Sequence, residues 1–400
     1  MTDWVERIDS LIADVGRGVR HVSRAVGSAF DKDPFELLAY YGYGNATRAN
    51  VHGRALEVRN VSVSTDSDST FRNLLNTYRR AEADPLAFAR VQVDYEESST
   101  ILSADDEGFF NGWIDLAKPI PGDKEWREYK VSLVEPVHPE IQTRAVKGEI
   151  LIPLETARFG VISDIDDTVI QSRVSNFLQA ARTVMLGNAR TRLPFPGVAA
   201  FYRALRDGAT GDERNPFYYV SSGPWNIFDV IAEFIQLQKI PRGPLLLRDW
   251  DIGMSLLSAS RHIDHKTAAI RNIIGLHPEM QFILIGDTSQ RDPEIYRHIV
   301  AEFPNRVKAI YIRDVTLSAE RSTAVKKLAE EVLAAGSVLV LAEHTLDAAK
   351  HAAEHGWIKA EALPEIGEEK RADEGRDDSK APAPDGGELG WGKPPVVIGR

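Results

Sequence analysis

The sequence predicts an α/β protein: a doubly wound parallel sheet, preceded by a β-rich domain of sandwich or barrel type. Three observations carry that prediction. From Phe159 onward, apolar runs such as "FGVISDID", "PFYYVSS", "QFILIGD", "RVKAIYIRD" and "SVLVLAE" alternate with helical patterns such as "GVAAFYRALRDG" and "DPEIYRHIVAEF". Continuous apolar runs between helices mark parallel strands buried on both faces. Between Pro34 and Pro153 the segments are instead rich in Val, Tyr, Phe and Trp and are separated by turn residues, as in an antiparallel array. Finally, polar residues stand at the ends of the apolar runs, where an open parallel sheet binds ligands.

Taken in order, residues 1–32 read as an amphipathic helix, with Trp4, Ile8, Leu11 and Val15 recurring at helical spacing. Its acids (Asp3, Glu6, Asp9) come early and its bases (Arg17, Arg20, Arg24) late, as the helix dipole favours. Such a helix docks on the protein or lies on a membrane surface. Residues 33–155 form the β-rich accessory domain, interrupted by a helix over "FRNLLNTYRRAEA". The "GYGNAT" at Gly42 lacks the third glycine and following helix of a dinucleotide fingerprint, and reads as a turn. Residues 156–360 form the α/β domain. Residues 361–400, charged and rich in Gly and Pro, read as a disordered tail.

Composition narrows the function. The 400 residues include no cysteine, which excludes disulfides and thiolate metal sites. A net charge of -11 disfavours nonspecific binding to nucleic acid and gives no global attraction to anionic lipid. No apolar run is long enough to span a bilayer. The opening Met1-Thr2-Asp3-Trp4 lacks the features of a signal peptide, so a cytoplasmic location is expected.

The chemistry concentrates at three strand ends. One carries Asp164, Asp166, Asp167 and Thr168; a second Ser221, Ser222 and Gly223; a third Asp287 and Asp292. Lys266 opens a helix before the third strand. Acids crowded behind apolar residues cost free energy unless a cation or a reaction compensates them. Asp167 reads as a hydrogen-bonding or capping residue, and Asp264 as the cap of the Lys266 helix. His262 and His265 read as locally hydrogen-bonded. Arg248, Asp249 and Asp251 either touch substrate or pair with one another.

These residues resemble the four ordered motifs of the haloacid dehalogenase (HAD) superfamily of phosphotransferases: D-x-D-x-T at Asp164, Asp166 and Thr168, a strand-terminal serine at Ser221, Lys266, and G-D-x-x-x-x-D at Asp287 and Asp292. The resemblance implies a HAD-like sheet with a small cap and a Mg²⁺ ion held by Asp164, Asp287 and the backbone carbonyl of Asp166. A phosphomonoester dianion repels a carboxylate, and a divalent cation offsets that repulsion. In this reading Asp164 is the nucleophile and forms an aspartyl-phosphate, and Asp166 is the general acid and base. Thr168, Ser221, Lys266 and the amides of Ser222 and Gly223, opening a helix, surround the phosphate, with Ser222 as an alternative to Ser221. Asp292 orients the metal or its waters.

The resemblance narrows through "DIDDTV", "LPFPGVAAFYRAL", "NPFYYVSSGPWN", "HKTAAI" and "FILIGDTSQRDPEIY". Together they are similar to the phosphatidate phosphatase family named for an actin-patch protein, over Phe159 to about Val315. The β-rich region is similar to the segment preceding the catalytic domain in bacterial relatives. What this implies is Mg²⁺-dependent hydrolysis of phosphatidic acid to diacylglycerol and phosphate, with peripheral association at the inner face of the membrane. An apolar stripe in the short insertion over 171–192, including Val174, Phe177, Ala181 and Met185, is core packing or a membrane contact. Two other functions stay open: a phosphatase for a soluble phosphomonoester or phosphoprotein, and a lipid-binding scaffold with a decayed site.

Overall fold

The computed structural model describes residues 35–57, 83–137, 144–165, 195–248, 258–315, 319–377 and 396–398. The N-terminal helix, the helix expected from Phe71, the insertion over 171–192, and Asp166, Asp167, Thr168, Asp249 and Asp251 lie outside the described residues.

The β-rich region contains β1 (Phe35–Ala39), β2 (Gly42–Gly44), β3 (Arg48–Glu57), β4 (Asp84–Pro85), β5 (Arg90–Tyr95), β6 (Ser98–Ser103), β7 (Phe109–Asp115), β8 (Trp126–Glu135) and β9 (Val146–Leu151). They join into one nine-stranded sheet in the order β1-β3-β2-β9-β8-β5-β6, with β4 and β7 also paired to β3. Every pair is antiparallel except β2 with β9. The antiparallel expectation holds, and the pairing describes a single sheet branching at β3. Alternation sets the buried face: in β5, Val91, Val93 and Tyr95 are buried while the residues between them are not.

The second sheet contains β10 (Gly160–Asp164), β11 (Phe217–Pro224), β12 (Leu245–Arg248), β13 (Phe282–Asp287), β14 (Val307–Arg313), β15 (Leu339–Ala342) and β16 (Val396–Ile398). Its order is β12-β11-β10-β13-β14-β15-β16, parallel except for the last pair. Strand order reverses at β10, since β11 lies on one side of it and β13 on the other. That is the switch point of a doubly wound sheet. Alternate residues feed opposite faces. Val161, Phe217 and Ile283 join one core with α1 (Val198–Asp207), α2 (Phe228–Leu237), α6 (Thr345–Glu354) and α7 (Ala362–Asp377). Ile162, Tyr218 and Leu284 join the other with α3 (Ser258–Leu276), α4 (Asp292–Glu302) and α5 (Ala319–Ala334).

Three expectations need correction. Residues beyond 361 are not simply a disordered tail. Helix α7 buries Ile366, Arg203 of α1 binds Glu365 and Glu369, and the amide of Gly197 donates to Asp373. Strand β16 extends the sheet. The segment "LLLR", read only for its charges, is the edge strand β12. Helix α3 begins at Ser258, so Lys266 lies within it and Asp264 is not its cap.

The two regions share cores. Leu38, Tyr40, Leu56 and Phe109 of the β-rich region pack with the α1–α2 side, and Tyr43 and Leu151 with the α3–α4 side. Polar contacts pin the seam. Glu125 accepts two bonds from Arg206 at 2.5 and 2.7 Å. Arg242 binds Glu149 and lies over Tyr41 and Trp126 at 4.2 and 4.0 Å. Asn45 donates to the Leu276 carbonyl at 2.9 Å. Among the described residues no helix is long and apolar enough to cross a membrane.

Candidate active site

Four side chains converge where the sheet order reverses. Asp164 closes β10, Asp287 closes β13, Asp292 opens α4, and Lys266 reaches in from α3. All four are buried: their exposures are 1, 0, 0 and 3%. The Lys266 Nζ donates to Asp164 Oδ1 at 2.7 Å, to Asp292 Oδ1 at 2.9 Å and to Gln290 Oε1 at 2.9 Å. All three donor positions of the ammonium are therefore engaged.

Local sequence explains this geometry. Asp292 Oδ2 accepts the Asp287 amide at 3.3 Å, closing the loop between strand and helix. A Cβ at Gly286 would fall 2.5 Å from Asp292 Oδ2, so only glycine lets that carboxylate close against the strand end. Asp287 Oδ1 in turn accepts from the amide and hydroxyl of Ser289, each at 2.5 Å, and from the Gln290 amide at 3.2 Å. Pro293 follows Asp292 at the start of α4, where a missing N–H costs nothing.

The electrostatics are out of balance. Among the described residues of the hydrogen-bonded cluster, three carboxylates meet one ammonium. Burial alone would lower the Lys266 pKa, but Asp164 and Asp292 outweigh it and hold the ammonium well above its ordinary value. Asp287 moves the other way: burial, then the neighbouring Asp292, push it up to about 6. Two further described cations stand nearby: Arg321 donates to the Thr288 and Gln290 carbonyls of the same loop at 3.1 and 2.7 Å, and Arg313 is the register neighbour of Asp287 in the sheet. The Arg313 guanidinium lies over the Phe195 ring at 3.3 Å, and burial draws it down to about 9.

This donor set fits a hard divalent cation. One oxygen from each of Asp164, Asp287 and Asp292 lies within 4.8 Å of the others. The donors are carboxylate oxygens, as Mg²⁺ prefers, and two positive charges would offset the excess negative charge. Both Asp292 oxygens are already hydrogen-bonded, one to Lys266 and one to the Asp287 amide, so Asp292 also ties the loop to the strand end.

Of the phosphate-site residues, Ser221 is fully buried within β11, not at its end as expected, one residue beyond Val220, which pairs with Asp164. Ser222 and Gly223 continue the strand and do not open a helix; the following helical turn starts at Trp225. The Gly223 amide donates to Ser221 Oγ at 2.9 Å, an arrangement that orients the hydroxyl. Asp166 and Thr168 lie outside the described residues. His265 borders a cavity beside the β-rich region. Sequence reasoning missed Gln290, which accepts from Lys266 and whose Nε2 lies 3.5 Å from Asp164 Oδ2. Its position inside the span from Gly286 to Asp292 was the available signal.

Residues 159–314 match the family described as phosphatidate phosphatase APP1, catalytic domain. The phosphatidate phosphatase APP1 of Saccharomyces cerevisiae is 32% identical over 155 residues, 38% of this chain and 25% of the yeast protein. An uncharacterized protein of Schizosaccharomyces pombe is 29% identical over 178 residues, 43% of this chain and 27% of that protein. The chain thus spans about a quarter of the length of these relatives. Among solved structures, a carbohydrate acetylesterase from Xanthomonas citri aligns with a TM-score of 0.26 at 8% identity, over 75% of this chain and 65% of that one. At that score the likeness carries no argument.

Proposed function

We propose that this chain is a Mg²⁺-dependent phosphatidate phosphatase with HAD-type chemistry. The observation that carries the reading is the convergence of Asp164, Lys266, Asp287 and Asp292 in one buried, negatively unbalanced cluster at the sheet's switch point. The match over residues 159–314 supports the lipid substrate.

Asp164 and Asp287 would hold the metal, with Asp292 orienting their loop. When bound, Mg²⁺ supplies charge neutralisation that lets an anionic nucleophile approach an anionic phosphate. Asp164 attacks phosphorus, the bond to the glycerol oxygen breaks, and Asp166 gives that oxygen its proton. Asp166 then takes a proton from water, which attacks the aspartyl-phosphate; the bond to Asp164 breaks and phosphate leaves. Lys266 steadies the Asp164 carboxylate and offsets phosphate charge, while Ser221, Thr168 and the nearby Ser222 and Gly223 hold phosphate oxygens.

Such a substrate lies in a lipid surface, so peripheral association at the inner face of the membrane is part of the proposal. The test is phosphate release from phosphatidic acid vesicles with Mg²⁺, compared with a panel of soluble phosphomonoesters. Release from vesicles that is lost with a chelator supports the proposal. Turnover confined to soluble esters would replace the substrate and keep the chemistry; no turnover of any ester would reject both.

A further inference from the structure

A cavity of about 190 Å³ lies between the β-rich region and helix α3. Its buried end is formed by Asn50 and His52 of β3, and its rim by Asn111 of β7 with Ala268 and Asn272 of α3. The three rim residues are exposed, so the cavity opens to solvent there.

Its walls are aromatic. Tyr40, Trp225, His52 and Tyr43 form a column with successive ring centroids 5.0, 5.1 and 6.4 Å apart and interplanar angles of 10, 29 and 21°. Among the described residues, none that borders the space is Asp, Glu, Lys or Arg. Burial, and then His265, push the His52 imidazole down to about 3, so it is neutral at physiological pH. An ion entering here would lose its hydration shell and find no countercharge.

The cavity is nevertheless short of hydrogen bonds. Asn50 is 4% exposed, and its amide donates to Asn111 Oδ1 at 3.1 Å and to the Gly112 carbonyl at 3.2 Å. That fixes the side chain and leaves Oδ1 without a hydrogen-bond partner; His52 Nε2 also has none. A buried polar atom left in that state costs about 1–3 kcal/mol, so both atoms call for a guest that hydrogen-bonds. At roughly 30 Å³ per water, the space matches about six waters or one small organic molecule.

We infer that this cavity binds a small uncharged molecule rich in hydroxyls, a polyol or monosaccharide. Hydroxyls both donate and accept, so they satisfy Asn50 Oδ1, the His52 nitrogen and the carboxamides at the rim. The C–H faces of such a molecule pack on the rings. The inference rests on neither the metal nor the phosphatase reading.

Saturation-transfer NMR on the full chain tests it with glycerol and glucose as probes and their charged analogues glycerate and glucosamine as controls. At least one neutral probe receives transfer, and its charged analogue binds at least tenfold more weakly. Ala268→Trp plugs the exposed rim and lowers binding at least tenfold with an unchanged melting temperature. Asn50→Leu, if it folds, does the same by removing the buried acceptor. No transfer to either neutral probe would overturn the assignment, because it would mean the space holds water only. Transfer unchanged in Ala268→Trp, or equal binding of the charged analogues, would overturn it too.

Discussion

Helix α3 borders two unlike environments. On one face Lys266 enters a cluster of three buried carboxylates, where hydrogen bonds are well supplied and charge is in excess. On the adjoining face His265, Ala268 and Asn272 border a cavity that has no charged residue among the described residues, and there the Asn50 and His52 side chains each leave a polar atom without a hydrogen bond. The two deficits differ in kind, and so do the ligands they select. Surplus negative charge calls for a cation; missing hydrogen bonds without charge call for a neutral partner.

The largest expected effect falls on the charged side. Asp164→Asn removes the proposed nucleophile, and phosphate release should fall on the order of 10⁴-fold or more. Retained turnover would move the nucleophile elsewhere and break the charged half of the comparison. Next comes Lys266→Met. It leaves Asp164 and Asp292 buried without their shared cation, and should cost about 3–5 kcal/mol in urea unfolding at neutral pH without metal. That loss should shrink on acidification, as the carboxylates take up protons.

Two buried imidazoles, His52 at the neutral cavity and His277 beyond the end of α3, make stability depend on pH. Burial, then Arg306, lowers His277 to about 4, and His52 is lowered to about 3. The unfolded chain therefore binds protons that the fold refuses, and stability rises with pH over this range. Their contribution is complete above about pH 6.5 and is lost as pH falls toward 4, on the order of 3 kcal/mol for each group. Unfolding between pH 7.5 and 4.5 checks this; His277→Gln should flatten part of the slope. The smallest effect concerns the seam between the regions. Glu125→Gln weakens both bonds to Arg206 and should cost about 2 kcal/mol, read as a lower melting temperature.

The sequence revealed one side of α3 far better than the other, for physical reasons. Asp164, Lys266, Asp287 and Asp292 follow or precede apolar strands in a fixed order, so local pattern located them. The cavity depends on β3, β7 and α3 meeting across more than 150 residues, which no local periodicity records. The parallel strands were legible because both their faces are apolar; β12, only four residues long, was hidden by the charges that follow it. Helix α7 was read as tail because its mean composition is polar. What docks it is Ile366 together with Glu365, Glu369 and Asp373, spaced four apart and meeting Arg203 and the Gly197 amide. Gln290 escaped notice because amides carry no charge signature.

The account turns on the cluster's need for a divalent ion, and Mn²⁺ binding followed by electron paramagnetic resonance tests that need without relying on turnover. One Mn²⁺ per chain should bind, compete with Mg²⁺, and be lost in Asp287→Asn while Ala268→Trp retains it. Absence of binding, or binding indifferent to Asp287, would contradict the account.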